Sequence, residues 1–295
     1  MNRSSVWVVA SEARLLSRFE RLPEQRKQIQ TLADQLEQQV AANLAVWTQL
    51  EKAQAALAKA RGSERDRLKQ RVAQLKRQCV SPDRLGGQPA VRENLVRWTN
   101  LRAEIYLTTM AIREQAPGLA DRYEPLARRA DVAGALAELG AGHRLGPSRE
   151  PPELIQSLGE FEQLVFTQDV PLLQDAGYLR FGAILNRRRP VTFTWSDSSQ
   201  PTVVAHSALV GAGLIVPDDA PREVYDADSG RQLQVARVTI PYVRVGKHVL
   251  RNVAALALPP EGEDLGCRIG GDAFGSLRAE PQPARLRLAI REIDP

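Results

Sequence analysis

Apolar residues in the first half of the chain recur every three or four positions. Between residues 24 and 61 they occupy two heptad positions, and Gln39 and Asn43 interrupt the stripe. This spacing predicts one long helix with a coiled-coil-like face. A polar Asn at such a position can set the register or the oligomeric state, so pairing within the chain and pairing between chains both stay open. The stripe consists of Ile29, Leu36, Leu50 and Leu57, and of Leu32, Val46, Ala53 and Ala60.

The same periodicity returns twice further along the chain. It runs to Cys79, stops over a turn rich in proline and glycine at residues 81–89, and resumes over about residues 90–115. Two long helical arms joined by such a turn are most simply an antiparallel helical hairpin or a small bundle. We therefore predict a helical domain over residues 1–145.

After Pro171 the apolar period changes from about 3.6 residues to 2. The preceding segment, residues 146–176, begins with a proline-rich stretch and is expected to form a linker and a short helix. Short alternating runs separated by Gly, Pro and Asp predict a β sandwich or barrel over residues 177–295, so the chain as a whole is α + β. The runs are 178–185, 191–195, 202–205, 224–225, 233–242, 249–258 and 286–293.

The composition, with 43% hydrophobic and 25% charged residues, is that of a soluble globular protein. No apolar run approaches the length of about 18 residues that spans a membrane, and the run at residues 6–10 is too short for a signal peptide. Cys79 and Cys267 fall in different predicted domains, so we expect no disulfide and a cytoplasmic location. The three histidines lack Cys or His neighbours at ligand spacing, so we expect no metal and no cofactor.

Positive charge is concentrated in the first half of the chain. Residues 1–150 contain 25 Lys and Arg against 17 Asp and Glu, whereas the remainder contains 15 against 18. The densest stretch, residues 59–77, has no interleaved aromatic residue, which favours a solvated helix face over a nucleic-acid site. A second basic run, Arg187-Arg188-Arg189, predicts a solvated hairpin tip, with a phosphate or an acidic partner as the alternative.

Five short motifs follow one another in the second half of the chain. In this order and over about 110 residues they resemble the retropepsin-like (clan AA) aspartic proteases of bacteria, which often carry a helical region first. The resemblance implies a barrel domain and makes residues Asp228, Ser229, Gly230 and Arg231 the tip of a flap. The motifs are the strand and loop 193–204, a small helix ending at Gly213-Leu214, the flap tip 228–231, the strands 243–246 and 250–255 followed by Pro259, and the turn 269–274.

Aspartic proteolysis needs two carboxylates about 3 Å apart that share a proton. One domain of this size supplies one carboxylate, so the resemblance implies a homodimer, formed through the barrel, the helical region or both, with Asp197 of each subunit as the catalytic residue. The chain departs from the family's Asp-Thr/Ser-Gly triplet, because Ser199 stands where glycine is expected. If the strand 193–195 and Thr202 both keep their register, Ser196 takes the catalytic position instead and offers no carboxylate.

Three functions from different classes follow from these features. We expect a protease-derived binding or scaffold protein that has lost catalysis and offers a groove to a peptide or protein. The alternatives are an active homodimeric aspartic endopeptidase that uses Asp197, and a nucleic-acid-associated protein that uses the basic helices. Whether the chain is an enzyme therefore depends on one loop, and neither a nucleic acid nor a membrane is the expected partner.

Overall fold

The computed structural model describes residues 6–140, 143–196, 200–228 and 230–293. The chain is α + β, with a 50-residue helix near its N-terminus and a β sheet in its C-terminal part. It divides into two compact units, each made of two stretches of sequence. The first unit contains Met1–Gln28 and Leu101–Val165, and the second contains Ile29–Asn100 and Phe166–Pro295.

The helices lie between residues 10 and 165, apart from one short helix within the sheet region. They are α1 (Ala10–Lys59), α2 (Gly62–Gln78), α3 (Pro89–Gln115), α4 (Leu119–Ala127), α5 (Ala130–Leu139), α6 (Pro151–Gln156), α7 (Gly159–Val165) and α8 (His206–Gly211). Short 3₁₀ turns lie at Pro82–Gly87, Pro260–Leu265, Gly271–Phe274 and Pro283–Arg285.

Helix α1 begins at Ala10, well before the predicted start at residue 24. Pro23 lies inside the helix, although a proline is expected at the first turn of a helix rather than in its interior. Leu15 and Leu22 are 2% and 0% exposed, so the buried stripe extends to the N-terminal side of the proline. This burial accounts for the extra turns, because apolar packing outweighs local helix propensity.

The strands follow after residue 165, except for one short pair. They are β1 (Val6–Trp7), β2 (Arg144–Leu145), β3 (Val170–Asp175), β4 (Tyr178–Leu185), β5 (Arg189–Ser196), β6 (Thr202–Val204), β7 (Arg222–Asp226), β8 (Gln232–Val245), β9 (His248–Ala257), β10 (Cys267–Gly270), β11 (Leu277–Gln282) and β12 (Arg287–Glu292). Strands β1, β2, β3, β10 and β11 are absent from the predicted set. The segment expected to be a linker and a short helix, residues 146–176, contains α6, α7 and β3.

The first unit is held together by apolar helix contacts and one buried carboxylate. Leu22 and Ile105 are fully buried. Glu12 is 1% exposed, and its carboxylate accepts hydrogen bonds from the Ser148 N–H at 2.8 Å and from the Tyr123 hydroxyl. Because a buried carboxylate without donors would be strongly destabilising, these bonds fix the start of α1 within the unit.

In the second unit, the predicted stripe on α1 is buried within the chain. Leu50 packs against Val72 and Leu75 of α2. Asn43 is also buried, and its side-chain amide donates to the Val80 carbonyl at 3.0 Å and accepts from the Val80 N–H at 3.1 Å. The polar residue that interrupts the stripe therefore satisfies backbone groups after α2.

Strands β3 to β12 form one sheet in the order β11-β12-β3-β4-β5-β10-β6-β9-β8-β7. A further pairing joins β4 to β8, with Ile184 opposite Arg244 and Leu185 opposite Val243. The pairs β4–β5–β10–β6–β9–β8 therefore form a closed ring, and the other strands extend from it. The largest apolar cluster of the unit lies on these strands and includes the fully buried Phe193.

The side of each strand that faces this core switches near Pro241 in β8 and near Asn252 in β9. Ile240 and Val243 are both fully buried in the core, although residues three apart on a regular strand face opposite sides. Asn252 has a φ of 51°, a left-handed conformation that Asn adopts more readily than most residues. Beyond the bend, Tyr242 lies on the side of β8 opposite to Val243.

Candidate functional site

Strand β10 lies between β5 and β6, which are neighbours in sequence. It pairs parallel with β5, where Gly270 is opposite Ser196, and antiparallel with β6, where Arg268 is opposite Val203. Strand β5 therefore ends level with the carboxyl end of β10, and the candidate catalytic loop follows β5 in the sequence.

The candidate catalytic residue Asp197 lies outside the described residues, as do Ser198 and Ser199. The competing candidate, Ser196, is the last residue of β5. Its Oγ is buried and has no hydrogen-bond partner within the described part of the chain. A serine hydroxyl has no titratable carboxylate, so any acid–base chemistry in this loop falls to Asp197.

Alternate residues of β5 and β10 face opposite sides of the sheet. Phe193 belongs to the apolar core, whereas Thr194 and Ser196 point to the other side, together with Arg268 and its neighbour Val203. We call the surface formed by Thr194, Ser196, Val203 and Arg268 the loop face. It is the side of the sheet that the β7–β8 hairpin contacts.

The predicted flap tip is the turn of the β7–β8 hairpin. The Ala227 N–H donates to the Arg231 carbonyl at 2.9 Å, and the Gly230 N–H donates to the Ala227 carbonyl at 2.8 Å. Gly230 has a φ of 76°, which glycine adopts without strain. Ser229 lies outside the described residues, so the turn is defined by Asp228, Gly230 and Arg231.

Two ion pairs tie this tip to the rest of the domain. Asp228 pairs with Arg268 on the loop face, and the Arg268 side chain is only 13% exposed. Arg231 pairs with Asp264 in the 3₁₀ turn before β10 at 2.6 Å, and this hydrogen bond lowers the pKa of Asp264. We call these two pairs the hairpin clasp.

The space between the hairpin and the loop face is filled by apolar side chains. Leu233 and Val235 of β8 form a second apolar cluster with Val203, Leu256 and Leu258. All five are less than 9% exposed. The hairpin therefore rests on the loop face through buried contacts, and the clasp fixes its outer end.

An open groove of about 790 Å³ begins beside the β5–β6 loop and crosses the middle of β8 and β9. Arg237 and Glu223 form an ion pair at 2.5 Å on its wall, and Asp272 also contributes to the wall. The groove has the volume of a ligand site and mixes apolar with polar groups. Its lining includes Gln200, Pro201, Thr202, Val238, Thr239, Asn252, Ala254 and Ala255.

A buried thiol supports the loop face from the core side. Cys267 of β10 is 6% exposed, and its Sγ accepts a hydrogen bond from the Ala205 N–H at 3.3 Å. Burial raises the pKa of this thiol to about 11, so it is protonated at neutral pH. Ser207, at the start of α8, donates its backbone N–H to Glu263 at 3.1 Å, which also fixes the turn that carries Asp264.

No cluster of three His, Cys, Asp or Glu side chains that could hold a metal occurs among the described residues. Over the same ranges, no helix is both long enough and apolar enough to cross a bilayer.

The sequence pointed to the flap tip but not to the residues that bind it. Arg268 stands between Cys267 and Ile269, which are both buried. A charged residue alternating with two apolar ones is typical of a strand with one polar face, but a run this short does not establish the period by itself. Asp264 carries no comparable signal, because acidic residues are common in turns.

No protein-family model and no curated protein matches the chain. Among solved structures, it is similar to the crystal structure of a retropepsin-like aspartic protease from Rickettsia conorii. The similarity is weak, with 13% sequence identity and a TM-score of 0.32. It covers 42% of this chain and 93% of that chain.

Proposed function

We propose that residues 177–295 form a retropepsin-like barrel that has lost proteolytic activity and acts as a peptide-binding module. The closed ring of pairings from β4 to β8 supports the barrel, because a ring without free edges is what distinguishes a barrel from an open sheet. In this proposal residues 1–145 are a helical domain, residues 146–176 link it to the barrel, and the protein is a homodimer. The free, buried thiols of Cys79 and Cys267 fit a cytoplasmic location.

The hairpin clasp is the observation that carries the loss of activity. In aspartic proteases of this kind the flap is a lid that has to open for a substrate and close over it. Here Asp228 and Arg231 bind Arg268 and Asp264 of the same chain, and buried apolar side chains fill the space beneath. A peptide would have to displace both ion pairs and this packing to reach the loop face.

The loop itself supports the same conclusion. Ser196, at the end of β5, contributes no carboxylate, and Ser199 replaces the glycine that lets the family's loop turn tightly. Catalysis would require two Asp197 carboxylates from two subunits within hydrogen-bond reach of each other. The 790 Å³ groove beside the loop stays open and offers polar and apolar groups to an extended peptide.

Proteolysis tests this proposal directly. Wild type, Asp197→Ala and the control Asp218→Ala, on an exposed side chain away from the groove, are incubated with an unfolded protein between pH 3 and pH 7, and fragments are measured by mass spectrometry. We expect none of the three to cleave. Cleavage by wild type and by Asp218→Ala, but not by Asp197→Ala, would establish an active endopeptidase instead.

A bulky substitution in the wall of the groove tests whether peptides bind there. Ala254 lines the groove and is exposed, so Ala254→Trp should block it without disturbing the core. A random library of extended peptides is selected on wild type, and the enriched peptides are then measured on both proteins. Binding that persists in Ala254→Trp contradicts the groove assignment, whereas Glu280→Trp on the edge strand β11 should bind like wild type.

A further inference from the structure

A cavity of about 350 Å³ lies between helix α1 and the turn that leads into β12. On α1, its lining residues recur every three or four positions and extend over about 16 Å along the helix axis. The cavity is therefore elongated, and it has the volume of a small-molecule site. We call it the α1 channel. The residues of α1 that line it are Ala33, Leu36, Glu37, Val40, Ala41 and Leu44.

The apolar part of this lining is fixed by the fold. Leu36 of α1 and Leu286, which precedes β12, are each 3% exposed and belong to one buried cluster that continues to Val40. The Leu286 carbonyl accepts a hydrogen bond from the Leu172 N–H of β3 at 2.9 Å, which holds the turn in place. Leu44, by contrast, is 37% exposed. A hydrocarbon chain in the channel would cover part of this apolar surface, and such burial favours binding.

The ionised groups of the lining leave one positive charge without a partner. Arg287 forms an ion pair with Glu37 at 3.0 Å and lies 3.8 Å from Asp169. Arg285 also lines the channel and is exposed, and within the described ranges its side chain has no carboxylate within 4.0 Å. Because Glu37 neutralises Arg287, the unpaired Arg285 makes the lining positive. The channel therefore favours an anion.

The shape and the charge of the channel together indicate its ligand. An elongated apolar channel with one unpaired, exposed guanidinium matches a hydrocarbon chain that ends in one anionic group. A guanidinium can donate two parallel hydrogen bonds to a carboxylate, so the planar fork of Arg285 suits such a group. A phosphate dianion fits less well, because Arg285 alone would have to neutralise it and Glu37 would repel it.

We propose that the α1 channel binds a medium-chain aliphatic carboxylate. The hydrocarbon chain lies along Leu36, Val40 and Leu286, and the carboxylate binds Arg285. Among the described residues, the lining of the channel shares no member with that of the groove beside the candidate catalytic loop. This inference therefore does not rest on the proposed function.

NMR titration of the full chain, with labelled Leu and Val methyl groups, tests the site with octanoate as the probe. Octanoate should shift the methyl resonances of Val40, Leu44 and Leu286. Hexanoate should bind about tenfold more weakly, because each buried methylene strengthens binding by a factor of about three to four. Equal dissociation constants for hexanoate and octanoate would overturn the proposal.

The role of charge is tested by removing it from the protein and from the ligand. Arg285→Gln should bind octanoate about fivefold more weakly, since a solvent-screened ion pair is worth about that factor, and should bind the neutral analogue octanol like wild type. Arg222→Gln is the matched control, because Arg222 of β7 is also exposed and has no ion pair within the described part of the chain. It should bind both ligands like wild type. If Arg285→Gln weakens octanol as much as octanoate, Arg285 does not bind the carboxylate and the proposal fails.

A bulky side chain in the channel tests where the ligand lies. Ala41 lines the channel and is exposed, so Ala41→Trp should leave the core intact. It should weaken octanoate binding about tenfold or more, because the indole takes the place of several methylenes of the ligand. Ala55→Trp, at an exposed position of the same helix outside the channel, should bind octanoate like wild type. Unchanged binding in Ala41→Trp contradicts the proposal.

Sedimentation velocity distinguishes the ligand from a second copy of the chain, the other occupant that an apolar channel admits. Wild type should sediment identically with and without octanoate. Dissociation of a dimer by octanoate would assign the channel to a second copy of the chain and overturn the proposal.

Discussion

Replacing Arg268 with alanine removes one half of the hairpin clasp and should free the tip of the β7–β8 hairpin. The Arg268 side chain is 13% exposed and that of Asp228 is 55% exposed. Water can therefore solvate Asp228 once its partner is gone, and the loss is smaller than for a buried pair. A partly exposed, charge-assisted hydrogen bond of this kind contributes about 1–2 kcal/mol. The local opening equilibrium should shift by a factor of about 5 to 30.

Amide hydrogen exchange measures this opening at the hairpin itself. In Arg268→Ala, peptides that cover residues 227–231 should exchange faster by that factor, whereas peptides from β12 should be unchanged. Arg278→Ala is a matched control, because its side chain is 74% exposed and lies 3.9 Å from its nearest carboxylate oxygen. Unchanged exchange at residues 227–231, or the same increase in both variants, would refute the idea that the clasp holds the hairpin.

Two further predictions concern stability and are checked by urea unfolding. Gly246→Ala should lower the free energy of unfolding by about 3 kcal/mol or more, because the new Cβ would lie 2.3 Å from the Thr167 carbonyl oxygen at a φ of 57°. The control Gly275→Ala has a φ of 58° but open space around it, so it should lower that free energy by about 1 kcal/mol. Equal losses in the two variants would contradict the steric argument. The pKa of Cys267 is raised to about 11 by burial, so its contribution is complete below about pH 9 and is lost as pH rises through 11. The free energy of unfolding should fall by about 2–3 kcal/mol over this range, and a slope that Cys267→Ala leaves unchanged would show that another group is responsible.

Most of the secondary structure in the second half could be predicted because its strands alternate. Tyr178–Leu185 was predicted with the bounds that the structure gives, and Phe181, Ala183 and Leu185 on one face of β4 pack in the core. Strand β10 could not be found in this way, because four residues are too few to establish a period. Strand β10 lies between β5 and β6 because it pairs with strands more than 60 residues earlier in the sequence. A local sequence pattern carries no information about such a pairing.

The candidate site was predicted only in part for the same reason. The tip of the β7–β8 hairpin, the predicted flap tip, carries a turn signal in its own residues, because Gly230 permits the positive φ that the turn requires. Its partners Arg268 and Asp264 are 40 and 33 residues away in sequence, and a charged residue does not reveal which opposite charge it meets. The pairing within the chain of the α1 stripe was likewise left open, because a heptad pattern describes a face and not its partner.

By itself, the sequence determined the division into a helical first half and a β-rich second half, since periods of 3.6 and 2 follow from the geometry of each backbone. It also determined how the candidate catalytic loop departs from the protease triplet, because the residue types at Ser196, Asp197 and Ser199 limit the chemistry of the loop in any fold. Only the tertiary structure decided that Asp228 meets Arg268 and that Arg187 lies beside Tyr242. Contacts of this kind depend on how distant strands pair, and that is decided by burial of the whole core rather than by any single segment.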